Sequence, residues 1–117
     1  MHECNILMKI RSKNFEYIFI EIGKSFNLEV GALQVGQAID FDFTLCSIKS
    51  IRHSIDEGKH NIWIYVEQND NWYGGHESKK AIDSIFKYYK ELSDIGWYMN
   101  DYYCTNEYLS KLMESFK

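Results

Sequence analysis

The sequence predicts an α+β fold: a small mixed or antiparallel sheet of about four strands with helices packed on it. Three observations predict it. Some short stretches, such as 38–45, alternate apolar and polar residues at strand period. Others, such as 78–92, repeat apolar residues at helical period. Glycines clustered at 31–36, 58 and 74–75 punctuate the two kinds. No linker, repeat or low-complexity tract interrupts residues 1–117, which read as one domain long enough to bury a core.

Residues 4–11, Cys-Asn-Ile-Leu-Met-Lys-Ile-Arg, have the composition of a first strand. Ser12-Lys13-Asn14 then offers a helix cap, and Phe15, Ile18, Phe19, Ile22 and Phe26 follow on one helical face. A hairpin competes here, because Glu16 to Glu21 is rich in strand formers. Residues 27–37 are loop-like. Ala38 to Leu45 alternates, with Ile39, Phe41, Phe43 and Leu45 on one face and Asp40, Asp42 and Thr44 on the other, as in a half-buried strand.

Leu45, Ile48, Ile51 and Ile55 recur at helical spacing, with Ser47 as a cap and Gly58 as a stop. A long strand returning through Asp56-Glu57-Gly58-Lys59 is the alternative. Asn61 to Glu67, Asn-Ile-Trp-Ile-Tyr-Val-Glu, is a clear strand, and a loop over 68–77 follows it. Trp63, inside that strand, is expected to matter more to folding than Trp72 in the loop. Ser78 can cap a helix burying Ala81, Ile82, Ile85, Phe86, Tyr89 and Leu92, which Asp94-Ile95-Gly96 ends. Trp97 to Cys104 reads as a last strand, with about half of its rings in the core. Thr105 caps a final helix carrying Tyr108, Leu109, Leu112, Met113 and Phe116. If 45–57 is strand, the order matches the ferredoxin-like split unit with an extra C-terminal helix.

Charge narrows the function classes. The net charge is −4, and residues 56–77 hold all of it, with five acids against one base. Nucleic acids and anionic membranes call for clustered Lys and Arg, so neither is an expected partner. The absence of a signal-peptide pattern, and three widely spaced cysteines (Cys4, Cys46, Cys104), fit a reducing cytoplasm.

Catalytic and metal motifs are weak. Gly23-Lys24-Ser25 lacks the upstream glycine of a phosphate loop and reads as a helix end. Cys46 and His53 would lie about 10 Å apart along a helix, beyond nucleophile-to-base reach. Asp40 and Asp42 share a strand face and read as its wet side. His2 with Cys4, His53 with His60, and His76 with Glu77 lack a recognised ligand spacing. No enzyme activity, metal or cofactor is expected.

The acidic segment also carries Trp63, Tyr65, Trp72 and Tyr73. Acids around aromatic rings suit a basic protein surface. The expected contact residues are Asp56, Glu57, Glu67, Asp70, Trp72, Tyr73, His76 and Glu77, with Gly74-Gly75 letting the backbone adapt.

A small, acidic, aromatic-rich domain with an Asn-Asp-Asn-Trp-Tyr loop resembles the immunity proteins of bacterial polymorphic toxins, including contact-dependent growth-inhibition systems. The resemblance rests on size, charge and the 56–77 segment. It implies a cognate toxin as partner, such as a nuclease whose basic site the carboxylates would cover. The alternatives are a phage-encoded or regulatory inhibitor of a nucleic-acid enzyme, and a small-molecule-binding or catalytic ferredoxin-like domain.

Overall fold

A computed structural model describes residues 1–12, 14–15, 18–69 and 78–103, apart from the side chains of Ser78 and Tyr103. It contradicts the expected α+β layering. Six strands form one mixed sheet that curls into a half-barrel, with one helix among the described residues. The strands are β1 (His2–Arg11), β2 (Phe19–Leu28), β3 (Ala38–Phe41), β4 (Thr44–Asp56), β5 (Lys59–Gln68) and β6 (Tyr98–Tyr103), and the helix is α1 (Ser78–Ser93). The spatial order is β3-β4-β5-β1-β2-β6; β1 and β5 run parallel and every other pair is antiparallel. The expected final helix over 105–116 lies outside the described residues.

Two helical expectations fail for identifiable reasons. Residues 19–28 form β2, paired along its whole length with β1. Ile18, Ile20 and Ile22 are buried with period two, and Phe15, Phe19 and Phe26 imitated a helical face beside them. Gly23-Lys24-Ser25 therefore lies in mid-strand. A Cβ on Gly23 would come within 2.5 Å of the Tyr98 ring, so the glycine is where that ring crosses β2. Residues 44–56 form β4, with a register shift between Ile48 and Ser50. The bulge moves the inward parity from Cys46 and Ile48 to Ile51, His53 and Ile55. A spacing of three across a bulge mimics a helix. Ser47 and Gly58 are consequently strand and turn residues, not helix boundaries.

Residues 38–45 are not one strand. Asp42 and Phe43, at φ 47° and 69°, make a two-residue turn between β3 and β4. Phe41 goes into the core, Phe43 is fully exposed and Leu45 is 44% exposed, so the expected common face breaks at the turn. The Asp40–Asp42 pair on one wet face breaks with it.

The concave side is the core. It takes Cys4, Ile6, Met8 and Ile10 from β1, Ile20 and Ile22 from β2, Ile62, Ile64 and Val66 from β5, and Cys46 and Ile48 from β4. The helix adds Ala81, Ile82, Ile85 and Phe86 to the same cluster. Tyr88 of the helix and Thr44 of β4 share a hydroxyl–hydroxyl hydrogen bond. The helix ends where the Trp97 amide donates to the Leu92 carbonyl at 3.2 Å and Gly96 takes φ 105°. Of the last strand's rings, Trp97 is buried and Tyr98 and Tyr102 are exposed. Trp63 and Tyr65 alternate with the buried isoleucines of β5 and lie half-buried on the convex side, where Arg52 sits 5.7 Å and 5.9 Å from their rings.

The curl is tied at the β3–β4 turn. One Asp42 carboxylate oxygen accepts from Lys24 Nζ at 2.7 Å and from Trp97 Nε1 at 2.8 Å. Lys24 also donates to the Ile95 carbonyl at 2.6 Å, and Phe26 packs on both Phe41 and Trp97. Burial works to raise the Asp42 pKa, but the Lys24 and Trp97 hydrogen bonds and the Lys24 charge together hold it below the usual 3.8. A lowered folded value stabilises the fold above the unfolded value and is lost as pH falls through the folded one. Asp42→Asn keeps the turn preference and should cost about 1.5–3 kcal/mol at pH 7, the range for hydrogen bonds to charged groups. In denaturant melts, the gap between wild type and variant should start to narrow below about pH 4. A gap that is constant from pH 7 to pH 2 would contradict the charged clamp.

Candidate functional site

The long β4–β5 hairpin separates residues that are close in sequence. Asp56 and Glu57 occupy its exposed tip, where Glu57 and Gly58 take φ 50° and 80° in a two-residue turn. Glu67 lies opposite Ser47, nine residues back along β4 from Asp56. That is about 30 Å of strand. Glu67 is half-buried on the convex side and pairs with Arg11 at 3.2 Å. Asp70, Trp72, Tyr73, His76 and Glu77 lie outside the described residues. The eight expected contact residues therefore do not start from one place: Asp56 and Glu57 are at one end of the hairpin and Glu67 near the other. The chain leaves β5 towards 70–77 at Asn69, whose amide donates to the Leu45 carbonyl at 3.0 Å. Asn69, the last described residue before the acidic segment, thus lies near the β3–β4 turn.

At that end the sequence concealed a prominent residue. Phe43 is 100% exposed in a left-handed backbone conformation, which costs a bulky L-residue about 1–2 kcal/mol. Its neighbour Asp42 is tied by hydrogen bonds to Lys24 and Trp97. Lys24 bridges from Asp42 to the turn after α1, where Ile95 is 48% exposed. Phe43, Leu45 and Ile95 are thus exposed apolar residues on segments bonded to one small polar network. Period-two alternation through 38–45 placed Phe43 in the core. Only the order Asp-Phe at a turn that favours Asn-Gly or Asp-Gly hinted otherwise.

Groups weighed for chemistry are differently occupied. Cys46 is fully buried, and burial followed by the Asp40 charge pushes its thiol up to about 12. It donates to the Thr44 carbonyl at 3.3 Å. Such a thiol is a packing group, since nucleophilic cysteines need accessible thiolate. Asp42 is committed to Lys24 and Trp97. A shallow polar pocket of about 150 Å³ lies between Arg11, Lys49, Glu67, Gln68 and Asn69, away from Asp40, Asp42 and His53. His53 and His60 meet on the concave face at the far end of the hairpin, with Nδ1 and Nε2 2.8 Å apart. Among the described residues, no helix is long and apolar enough to cross a membrane.

Brief iodoacetamide treatment at pH 8, read by peptide mass spectrometry, should leave Cys46 unmodified until denaturant is added. Labelling of Cys46 in the native protein would contradict its enclosure.

Comparison with protein families, curated proteins and solved structures finds no match to this chain.

Proposed function

We propose that this protein is a cytosolic binding module, not an enzyme, that captures one cognate protein through the end of the half-barrel bearing Phe43. One observation carries the proposal: a phenyl ring wholly in solvent on a left-handed turn whose adjacent residue, Asp42, is hydrogen-bonded to Lys24 and Trp97. Retaining Phe where Gly or Asn would cost less points to a gain outside the fold. Large rigid side chains seated in a partner's pocket are typical anchors of protein interfaces. Leu45 and Ile95 extend the apolar contact.

The partner of this chemistry has an apolar pocket with a basic rim. The pocket would receive Phe43. The rim would meet the acids of 70–77, which follow Asn69 in the chain. A toxin with a basic active site fits this description, and inhibition by covering that site is the simplest activity for such a surface. Asp56 and Glu57 are too far along the hairpin to join the same contact and would act only as long-range charge.

The test is a capture from the native strain, identification by mass spectrometry, and affinity measurement on the purified pair. Phe43→Gly should have opposite effects on folding and binding. It relieves the backbone, so stability should rise by up to about 1–2 kcal/mol. It removes the anchor, so affinity should fall by about 2 kcal/mol or more. Unchanged affinity for the captured partner would remove Phe43 from the interface and this proposal with it.

Association should also slow as salt rises, because screening shortens the field that steers encounter. A rate constant that is flat from 50 mM to 500 mM salt would rule out acidic steering.

A further inference from the structure

We propose that His53 and His60 form a binding site for a divalent transition-metal ion of borderline softness, such as Zn2+, Ni2+ or Cu2+. The site lies at the hairpin end opposite Phe43 and is independent of the proposed partner contact. Three of the four histidines in the chain gather there from three adjacent strands, His2 on β1, His53 on β4 and His60 on β5. The ladders place all three on the concave face. His53 lies opposite Ile62 and Ile55 opposite His60, while Cys4 beside Ile62 puts His2 level with His60.

The geometry suits a chelate. His53 Nδ1 and His60 Nε2 are 2.8 Å apart, far closer than the ring centroids at 5.1 Å, so the rings meet nitrogen to nitrogen. Both rings are exposed, and the strands beneath them are fixed by backbone pairing. Two imidazoles on one ion at Zn–N distances of about 2.0–2.1 Å and a tetrahedral angle hold their nitrogens about 3.3 Å apart. Chelation opens the pair by about half an ångström and swings each ring by about 35° from the present nitrogen-to-nitrogen line, so that both lone pairs point at one ion. One imidazole now donates N–H to the other. To bind metal, the donor shifts that proton to its other ring nitrogen through solvent, and both facing lone pairs become available. Imidazole favours Zn2+, Ni2+ and Cu2+ over Mg2+ and Ca2+, which prefer oxygen.

Among the described residues no three His, Cys, Asp or Glu side chains converge on one point, so two imidazoles hold the ion and water completes its shell. His2, with its ring edge-on to His60 at 6.0 Å, is the next imidazole within reach. Cys4 is not a ligand: it is fully buried and its thiol faces the His2 carbonyl at 3.4 Å.

Calorimetric titration of the tag-free full chain with Zn2+, Ni2+ and Mg2+ tests the site. One Zn2+ or Ni2+ should bind per chain, and Mg2+ should not. His53→Gln and His60→Gln should each lower the Zn2+ affinity about tenfold or more. The rings are exposed, so thermal melts of the metal-free variants should match wild type. As a check that needs no variant, Ni2+ added to wild type should broaden the ring proton signals of His53 and His60 before those of His76. Absence of saturable Zn2+ and Ni2+ binding, wild-type affinity in both variants, or broadening confined to His76 would each overturn the site.

Discussion

A single carboxylate ties the two edges of the curled sheet to each other. Asp42 accepts one hydrogen bond from Lys24 on β2 and another from Trp97 ahead of β6, so a turn at one edge of the sheet is tied to strands at the other. The partners lie eighteen and fifty-five residues away in sequence. A half-buried ion pair loses part of its hydration, and here hydrogen bonds from both an ammonium and an indole offset that loss. Phe26 packs on Phe41 and Trp97 beside the pair, which stays partly exposed, with about a quarter of each side chain in solvent. Helix α1 can then lie in the concavity and complete one core with the inward residues of β1 to β5.

That clamp also shapes what the protein can present. It ties down Asp42, the residue beside Phe43, whose ring stands in solvent. Preorganised anchors lose little freedom on binding, which is why rigid exposed rings make effective contacts. The β4–β5 hairpin then spaces two different chemistries. Its Phe43 end presents exposed apolar side chains near Asn69, and its far end gathers imidazoles above the edge of the core. Strand length alone keeps the two apart by about 30 Å.

Much of the local structure was legible in the sequence. The first strand, the strand over 61–67, the helix starting at Ser78 and its stop at Gly96 all follow from period and turn chemistry, and the structure carries each of them. The hairpin tip at Glu57-Gly58 was only the alternative reading, because a glycine after a helix-like spacing also suits a helix stop. The errors had local causes too. A bulge between Ile48 and Ser50 turned a strand into a false helix, and Phe43 disguised a turn as continued alternation. The acidic stretch was read as one surface because its residues are neighbours in the chain, but an antiparallel hairpin sends Asp56 and Glu67 to different places.

By itself the sequence determined the alternation that buries one face of β1 and β5, the helix starting at Ser78, and the net negative charge. These depend on residues within a turn or two of one another, where side-chain period decides burial. Only the tertiary structure decided how far the sheet curls, that Lys24 and Trp97 meet at Asp42, that Phe43 stands in solvent, and that His53 finds His60. Each of these joins residues from separate strands or from a turn without a turn-like composition. Register and curvature arise from pairing between strands, and no single segment contains that information.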